Sequence, residues 1–336
     1  MKTYDLTRVR YDVVAMLPDG TKLQLTDLCE RLGWEEGESE YAARLNLTVR
    51  NVRYGGGFLA EKLPLATVLY LYADWAGMPM EVWRGTIWDW GFDGGEHDPI
   101  RITGYDLVYY MQKSRINKYY AKGTGSKKMI TNILDAYSIP LGTYKGPDVK
   151  HKKTLIKNKA ISAALKGVLE SAVDLGAQEC ILRAREGAVD VVPYGGNEDV
   201  FVISARDNLV KASDSFSMAD LVTRVRVTGR EDKKGRPKVV ATLNGRTEFG
   251  DITLFQARGG DSLNAAKKKA QKILKDRGEP KRKLTIRAAD MPAVRKGDLI
   301  YLEMDSLTGY FLVKSAAHDA IARAMTLEVK PDEQGK

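Results

Sequence analysis

The chain has 336 residues, of which 43% are hydrophobic and 29% charged, and a formal net charge of +9, values typical of a soluble globular protein with two or three domains. Its longest apolar stretch, about residues 63–73, is too short to span a bilayer, and its first residues lack the apolar core of a signal peptide, so we expect synthesis in the cytoplasm and no membrane anchor. The two distant cysteines, Cys29 and Cys180, and three scattered histidines argue against a disulfide framework and a zinc site, and they predict free thiols.

Residues 1–104 predict an antiparallel β domain. Apolar residues alternate with polar ones from Val9 to Leu25 around Asp19-Gly20, a strong short-range signal for a β-hairpin. Further strands are predicted at 43–49, 65–73, 80–90 and 99–103.

Residues 105–199 predict an α+β domain inserted after this β domain. Asp106 is a candidate N-cap for a first helix, and Ser126 is a candidate cap for a second helix over 129–137. Apolar residues at helical spacing predict a third helix over 156–172, and Glu186-Gly187 predicts the turn of a hairpin.

Residues 200–330 predict a second β domain that carries a helical segment near 247–281. Strand patterns around 222–227 and 239–243 precede a clear amphipathic helix over 262–276. Strands are then predicted at 284–288, 298–304, 310–317 and 321–329. The predicted fold class is therefore a multidomain α+β protein.

A short similarity links the two β domains. The segment from Val68 to Asp74 resembles the segment from Leu299 to Asp305, with three identities in seven residues, and each is followed by a loop containing glycine and a second strand. Such a repeat indicates a duplicated β unit, and chance similarity is the alternative.

The four basic segments are 113–128, 145–159, 224–238 and 267–296. None of them is a single stripe of basic residues interleaved with aromatic ones. Solvated lysines on separate surfaces therefore explain the net charge, and we expect no specific nucleic-acid binding.

No catalytic motif is complete in the sequence. The glycines at 55–57 lack a following helix that would bind phosphate, and the loop 94–98 places its potential ligands, including His97, on adjacent residues whose side chains diverge. His318-Asp319 lacks the context of a nucleophile. We expect no enzyme, no bound metal and no cofactor.

Two pairs of carboxylates leave a glycosidase open as an alternative. Asp89 with Asp93, or Glu35 with Glu36, could supply an acid and a base, although closeness in sequence does not set their spacing across a sugar.

Three tryptophans, Trp83, Trp88 and Trp90, form an aromatic cluster in sequence with Phe92. They could stack a sugar or a base, or they could pack in a barrel core or a subunit interface. Trp88 and Trp90 are two residues apart, so they are expected on one side of a strand. We expect a barrel or inter-subunit interface rather than a ligand platform.

The order of these elements resembles the baseplate hub proteins of contractile phage tails, known as the late control protein D or tail hub family. The segments that carry the resemblance are 83–87, 102–107, the helices at 129–137 and 161–172, the hairpin at Gly187, 221–227, the alanines Ala265, Ala266 and Ala270, 294–298, 310–315 with His318, and 325–329.

This resemblance implies two tube-type antiparallel β-barrels, at 1–104 and 200–330, with the α+β domain 105–199 between them. It implies a homotrimeric structural hub that adapts a sixfold tail tube to a threefold central spike. The implied partners are the tail tube protein, the spike, other baseplate proteins and the tape measure protein. The implied location is the tail baseplate of a phage or of a phage-tail-like particle such as a defective prophage or tailocin. A peptidoglycan-cleaving tail enzyme is the alternative.

Overall fold

The computed structural model describes residues 9–75, 77–95, 98–231, 235–304 and 307–332. These residues divide into two compact units, Met1–Ala212 with Thr285–Lys336 as unit 1 and Ser213–Leu284 as unit 2. Strands make up 49% of the described residues and helices 17%, so the fold is mostly β with a smaller helical part. The division at residues 104 and 199 stays a prediction.

In chain order the elements are β1 (Arg10–Met16), β2 (Lys22–Gln24), β3 (Cys29–Glu36), β4 (Arg44–Val49), β5 (Arg53–Tyr54), β6 (Gly57–Phe58), α1 (Leu59–Lys62), β7 (Val68–Trp75), β8 (Met78–Gly91), β9 (Ile100–Asp106), α2 (Leu107–Lys113), β10 (Arg115–Tyr120), α3 (Ser126–Asp135), β11 (Leu141–Tyr144), β12 (Thr154–Ala160), α4 (Ile161–Val173), β13 (Cys180–Arg185), β14 (Ala188–Pro193), β15 (Phe201–Ser204), β16 (Leu209–Ser217), β17 (Arg224–Glu231), β18 (Pro237–Asn244), β19 (Thr253–Ala257), α5 (Leu263–Arg277), β20 (Lys281–Ala289), β21 (Leu299–Glu303), β22 (Gly309–Asp319) and β23 (Ala324–Pro331). None of the described helices is both long and apolar enough to cross a bilayer.

The large sheet has 13 strands, which come from both ends of the chain and lie mostly in unit 1. Its main path runs β16-β20-β23-β22-β3-β4-β9-β8-β7-β1-β2, with β21 paired to β22 and β15 paired to β21. The predicted hairpin at the N-terminus is confirmed, because β1 pairs with β2 and Gly20 adopts a φ of 85° in the turn. The arrangement of these strands as two separate barrels stays a prediction.

The two similar segments both begin antiparallel hairpins. β7 returns as β8, and β21 returns as β22. Asp74 lies in β7, where it pairs with Pro79, whereas Asp305 lies outside the described residues. The hairpins are therefore as predicted, and the equivalence of the two aspartates stays a prediction.

Strand β22 joins the two ends of the chain. It pairs along one edge with β23. On its other edge, residues 309–312 pair with β21 and residues 316–319 pair with β3, where Ala316 lies opposite Glu36 and Asp319 opposite Gly33. The contact between β22 and β3 is called the seam below.

A buried polar cluster lies at the seam. His318 stacks on Trp34 with ring centroids 4.3 Å apart, and its Nδ1 lies 2.6 Å from Asp290 Oδ1. Its Nε2 lies 3.0 Å from the carbonyl oxygen of Val294, which can only accept, so Nε2 carries a proton. The hydroxyl of Tyr11 donates to the other oxygen of Asp290. Each of these polar groups therefore has a partner away from water.

The inserted elements form a second apolar core within unit 1, in which α2 packs against β13 and β14, α4 packs against β13, and α3 packs against α4. Asp106 caps α2 as predicted, since its Oδ1 accepts from the backbone nitrogen of Val108 at 2.9 Å. Glu186 and Gly187 both adopt positive φ, at 48° and 79°, in the predicted turn between β13 and β14.

Two sequence-based assignments in the insert are wrong. Ser126 is not a cap: it is the first residue of α3, and its buried hydroxyl bonds to His151 Nε2 at 2.7 Å. The third helix begins at Ile161 rather than at 156, because residues 154–160 pair with β10 as strand β12 and Asn158 adopts a left-handed φ of 44°. Backbone pairing outweighs the helical spacing there.

Unit 2 is a three-stranded sheet with one helix. β17 lies in the middle, antiparallel to β18 and parallel to β19. Ala266 and Ala270 of α5 are buried in one apolar cluster with Val225 and Val227 of β17, which confirms the predicted amphipathic helix. Ser262 caps this helix through the backbone nitrogen of Ala265 at 3.2 Å.

We expect Gly33→Ala to destabilise the protein by about 1–3 kcal/mol, the usual cost of overpacking. A Cβ atom at residue 33 would lie 2.7 Å from the backbone oxygen of His318, so β3 and β22 would have to separate at the seam. Gly91→Ala is the matched control, since Gly91 is also in a strand and a Cβ there meets nothing within 4 Å. Urea unfolding measures both variants, and equal midpoints would contradict this account of the seam.

Candidate functional site

Trp83 lies in the core of the large sheet. It is 4% exposed, and its Nε1 donates to the backbone oxygen of Ala43 at 3.2 Å. A Cβ at Gly85 would lie 2.6 Å from the Trp83 ring, and a Cβ at Gly104 would lie 2.9 Å from it. The two glycines therefore make the space for the indole, which packs inside the protein.

A β-bulge separates the other two tryptophans. The register of β8 against β9 shifts between Ile87 and Asp89, and Trp88 is the extra residue. Trp90 then lies opposite Ile102, a core residue that is 2% exposed. The expectation that Trp88 and Trp90 share one side of the strand is wrong, because a bulge reverses the alternation of side chains.

Trp88 belongs to a cluster of aromatic side chains with α2. Its ring centroid lies 4.6 Å from that of Tyr109 and 5.0 Å from that of Tyr110, and Tyr105 stacks on Tyr109 at 3.8 Å. Its Nε1 is buried without a hydrogen-bond partner among the described residues. Tyr110 is 40% exposed, so one edge of this cluster reaches solvent.

Trp90 and Phe92 form the wall of an open groove. Their rings are stacked at 6.0 Å with an angle of 7° between the planes, and Phe92 is 38% exposed. The groove encloses about 480 Å³, and Phe58 and Pro64 also line it. Exposed aromatic side chains beside a concave apolar surface are typical of a protein interface.

A charged cleft of about 530 Å³ lies between β8, the β13–β14 hairpin and residues 292–298. Arg183 bonds Asp298 at 2.8 Å on its wall, and Arg295 bonds Glu36 at 2.6 Å. One oxygen of Glu81 is buried beside this cleft without a partner among the described residues. The cleft walls are therefore held by ion pairs. Glu81 Oε1 could accept a hydrogen bond from a partner molecule that enters the cleft.

Three of the four carboxylates considered for a glycosidase, Asp93, Glu35 and Glu36, are bound by arginine. Both oxygens of Asp93 accept from Arg101, at 2.7 and 2.5 Å, and these bonds lower the pKa of Asp93. Burial alone would raise the pKa of Glu36, but Arg295 lowers it to about 2. A glycosidase needs an acid with a raised pKa, and neither of these carboxyl groups has one.

Two carboxyl groups at or near this cleft have a raised pKa. Burial raises the pKa of Asp298, which is paired with Arg183 on the cleft wall. Burial also raises the pKa of Asp106 to about 7, although backbone N–H groups of Ala43 and Val108 donate to its two oxygens. The cavity beside it holds about 20 Å³, which is too small for a sugar. Its bonds make it a structural group that joins α2 to the sheet.

The histidines do not form an accessible catalytic site among the described residues. His318 is enclosed at the seam, and Ser126, which bonds His151, has no exposed surface. The described residues contain no group of three side chains that could hold a metal ion. Cys29 and Cys180 are free, and burial raises the pKa of the Cys29 thiol to about 12. In the loop 94–98, Glu96 and His97 lie outside the described residues.

Sequence reasoning missed one surface. Two of the four basic segments are neighbours in space, because β10 pairs with β12 in an antiparallel ribbon. Tyr119 lies directly opposite Leu155 in this pair, and both are more than half exposed. The signal that could have found it is the charge itself, since residues 113–159 carry twelve Lys and Arg and only two Asp.

Comparison with known proteins identifies a family and a fold. The YQBQ-like family model matches residues 34–330. A search of curated protein sequences found no match.

Solved structures share the fold along nearly the whole chain. The 43 kDa tail protein of prophage MuSo2 from Shewanella oneidensis is 12% identical, with a TM-score of 0.68 and coverage of 96% of this chain and 98% of that one. The tail protein of Neisseria meningitidis MC58 is 14% identical, with a TM-score of 0.66 and coverage of 96% and 97%. The Escherichia coli c3393 protein, a type VI secretion component similar to the T4 tail proteins gp27 and gp5, is 10% identical, with a TM-score of 0.53 and coverage of 99% and 78%. The fold is therefore that of phage tail proteins.

We expect the unfolding free energy of Glu36→Gln to fall less between pH 5 and pH 3 than that of the unchanged protein. The folded Glu36 has a pKa near 2, against an ordinary value of 4.5, so its contribution is complete above pH 4.5 and is lost as the pH falls toward 2. The shift corresponds to about 3 kcal/mol of unfolding free energy. Urea unfolding at pH 3, 5 and 7 measures it.

Glu35→Gln is the matched control for this variant. Glu35 is the neighbouring residue, and its ion pair with Arg44 is about one-third exposed, so we expect its loss to cost less than about 1 kcal/mol at pH 7. At that pH, Glu36→Gln should cost about 3–5 kcal/mol, because Arg295 is left buried without its counter-charge. Equal losses in the two variants would contradict the proposed role of Glu36.

Proposed function

The chain belongs to the YQBQ-like family, and we propose that it is a structural hub in the baseplate of a contractile phage tail or a phage-tail-like particle. The observation that carries the proposal is the near end-to-end likeness to phage tail proteins, which covers 96% of this chain and 98% of the MuSo2 protein. A shared fold does not fix function. The strands and surfaces of the chain supply the further support for an assembly.

The two hairpins support a ring of three copies. β7–β8 and β21–β22 are antiparallel hairpins from opposite ends of the chain, and the seam fixes both in one sheet. Three chains would thus present six similar hairpins, which matches a sixfold tube above a threefold spike. We propose that the two hairpins belong to two tube-type barrels of one homotrimer.

The partners follow from that position. We propose that the ring contacts the tail tube protein on one side and the central spike on the other, with further contacts to baseplate proteins and the tape measure protein. The c3393 protein is described as similar to both gp27 and gp5 of T4, and this relation supports a partner on the spike side. The hub is made in the bacterial cytoplasm and works in the assembled particle.

We propose that the hub is not an enzyme. The paired carboxylates of a tail glycosidase would need one protonated member near neutral pH. Asp93 is bound bidentately by Arg101, and Glu36 is paired with Arg295. Both contacts favour the ionised form, so these residues suit structural ion pairs.

Three copies around the tail axis are expected in the assembled particle. A cryo-electron microscopy structure of the particle counts them, and a pseudo-sixfold ring from three chains is the expected result. Purified subunits can still be monomeric, since ring contacts gain stability from the tube and the spike. Six copies, or a single copy away from the axis, would contradict the hub proposal.

We propose that the groove lined by Trp90 and Phe92, called the aromatic groove, is part of the inter-subunit interface, whereas Trp83 packs in the core of the large sheet. We expect Phe92→Ala to lower incorporation into particles at least several-fold while changing the free energy of unfolding by less than about 1 kcal/mol, because Phe92 is 38% exposed. Phe255→Ala is the control, since Phe255 is 59% exposed in unit 2. Quantitative blotting of purified particles measures incorporation. Normal incorporation of Phe92→Ala would exclude the groove from the interface.

A further inference from the structure

The positive charge of the chain is concentrated in one segment. Residues 113–159 carry twelve Lys and Arg against two Asp, a net charge of +10, whereas the whole chain carries +9. The rest of the protein therefore has almost no net charge. A concentration of this kind marks one surface rather than a general property of the chain.

The fold brings this charge together on and around the two-stranded β10–β12 ribbon. The strands pair antiparallel, and Gly125 makes a further bridge to Lys150 between the loops that follow and precede them. Eleven of the twelve basic residues are exposed, and the twelfth, Lys118, is half-buried. The basic ribbon, as we call this surface, comprises Lys113, Arg115, Lys118, Lys122, Lys127, Lys128, Lys150, Lys152, Lys153, Lys157 and Lys159 with Tyr119 and Leu155.

The charges of the basic ribbon are not neutralised by other residues in the described part of the chain. Of the twelve basic residues, only Lys145 forms an ion pair with a described residue, at 3.4 Å from Glu198. Asp148, one of the two acidic residues, accepts from the backbone nitrogen of Lys127 at the start of α3. Unpaired like charges repel one another and destabilise the fold, so folding does not account for this arrangement.

An exposed aromatic ring lies among the charges of the basic ribbon. Tyr119 is 58% exposed, and Leu155, directly opposite, is 56% exposed. The ammonium group of Lys153 lies 5.6 Å from the Tyr119 ring centroid. Aromatic rings among lysines are the combination that binds nucleic acid strands, in which bases stack and phosphates meet the cations.

We propose that the basic ribbon binds nucleic acid through its phosphate backbone, without reading the base sequence. Lysines are compact point charges that contact phosphates, whereas base readout relies on bidentate Arg, Asn or Gln side chains. The ribbon has eleven charged groups apart from Lys145, and Arg115 is the only arginine among them. This agrees with the expectation of no specific nucleic-acid binding and adds a sequence-independent activity to the proposed hub role.

The same features disfavour an acidic protein partner. Recognition of carboxylates favours arginine, whose planar group binds both oxygens. A stable protein interface also buries about 800 Å² on each side around an apolar centre, and Tyr119 and Leu155 provide only two apolar side chains.

A membrane surface is also disfavoured as the partner. Such a surface is usually bound by a longer apolar face on an amphipathic helix, while this ribbon is a β-structure.

Fluorescence anisotropy of the full chain with random-sequence DNA, single- and double-stranded, at about 50 to 200 mM salt tests the proposal. We expect binding that weakens steeply with salt, by about one unit of logarithmic slope for each phosphate contact. The triple variant Lys152→Glu, Lys153→Glu, Lys157→Glu should lose at least tenfold in affinity and reduce the slope. Tyr119→Ala should weaken single-stranded binding more than duplex binding.

The matched control is the triple variant Lys267→Glu, Lys268→Glu, Lys272→Glu on α5, whose lysines are also exposed and which changes the net charge equally. It should keep nearly the full affinity. Equal losses in the two triple variants would mean attraction by net charge alone and would overturn the proposal. Binding to polyglutamate or to phosphatidylglycerol vesicles, with none to DNA, would overturn it as well. Urea midpoints confirm that each variant is folded.

Discussion

The fold of unit 1 depends on the polar cluster at the seam. A seam of apolar side chains alone could slip by two strand residues and still bury the same face, but such a slip would separate Trp34 from His318. Asp290 and the carbonyl of Val294 hold His318, and Tyr11 of β1 binds the same Asp290, so the position of the imidazole is fixed. Leaving any of these buried groups without a partner would cost about 1–3 kcal/mol, and Trp34 of β3 stacks on the imidazole in the observed register of β22 against β3. Gly33 allows the close approach that this register needs.

That register has a consequence for assembly. Strands from the first hundred and the last fifty residues share one sheet, so the β7–β8 and β21–β22 hairpins cannot move independently. A ring that matches a sixfold tube needs two units per chain at a fixed spacing, and a flexible linker between two barrels would not supply it. The ion pair of Arg295 with Glu36 strengthens the same connection, because it links the segment before β21 to the end of β3.

Sequence patterns predicted the local structure better than the contacts between distant segments. Alternation and turn residues located most strands, and the cap at Asp106 was correct because it depends on its own next two residues. The bulge at Trp88 was missed, since it arises from pairing with β9 and leaves no mark in the spacing of tryptophans. Helical spacing predicts a helix over 156–160, but these residues belong to strand β12, because they pair with β10 about forty residues earlier in the chain. The basic ribbon was missed for the same reason: its two segments are separate in sequence and adjacent only through that pairing.

The distribution of charge separates two kinds of surface in this protein. Outside residues 113–159 the chain has 41 Lys and Arg against 42 Asp and Glu, so the large sheet and unit 2 together are nearly neutral. Copies of a nearly neutral sheet can approach one another in a ring without strong mutual repulsion, which a uniform charge would cause. The excess charge lies on the insert, whose apolar core holds the ribbon strands in place through Ile116 and Ile156. In the proposed hub, a strongly basic surface that would bind a polyanion is thus compatible with assembling surfaces that carry little net charge.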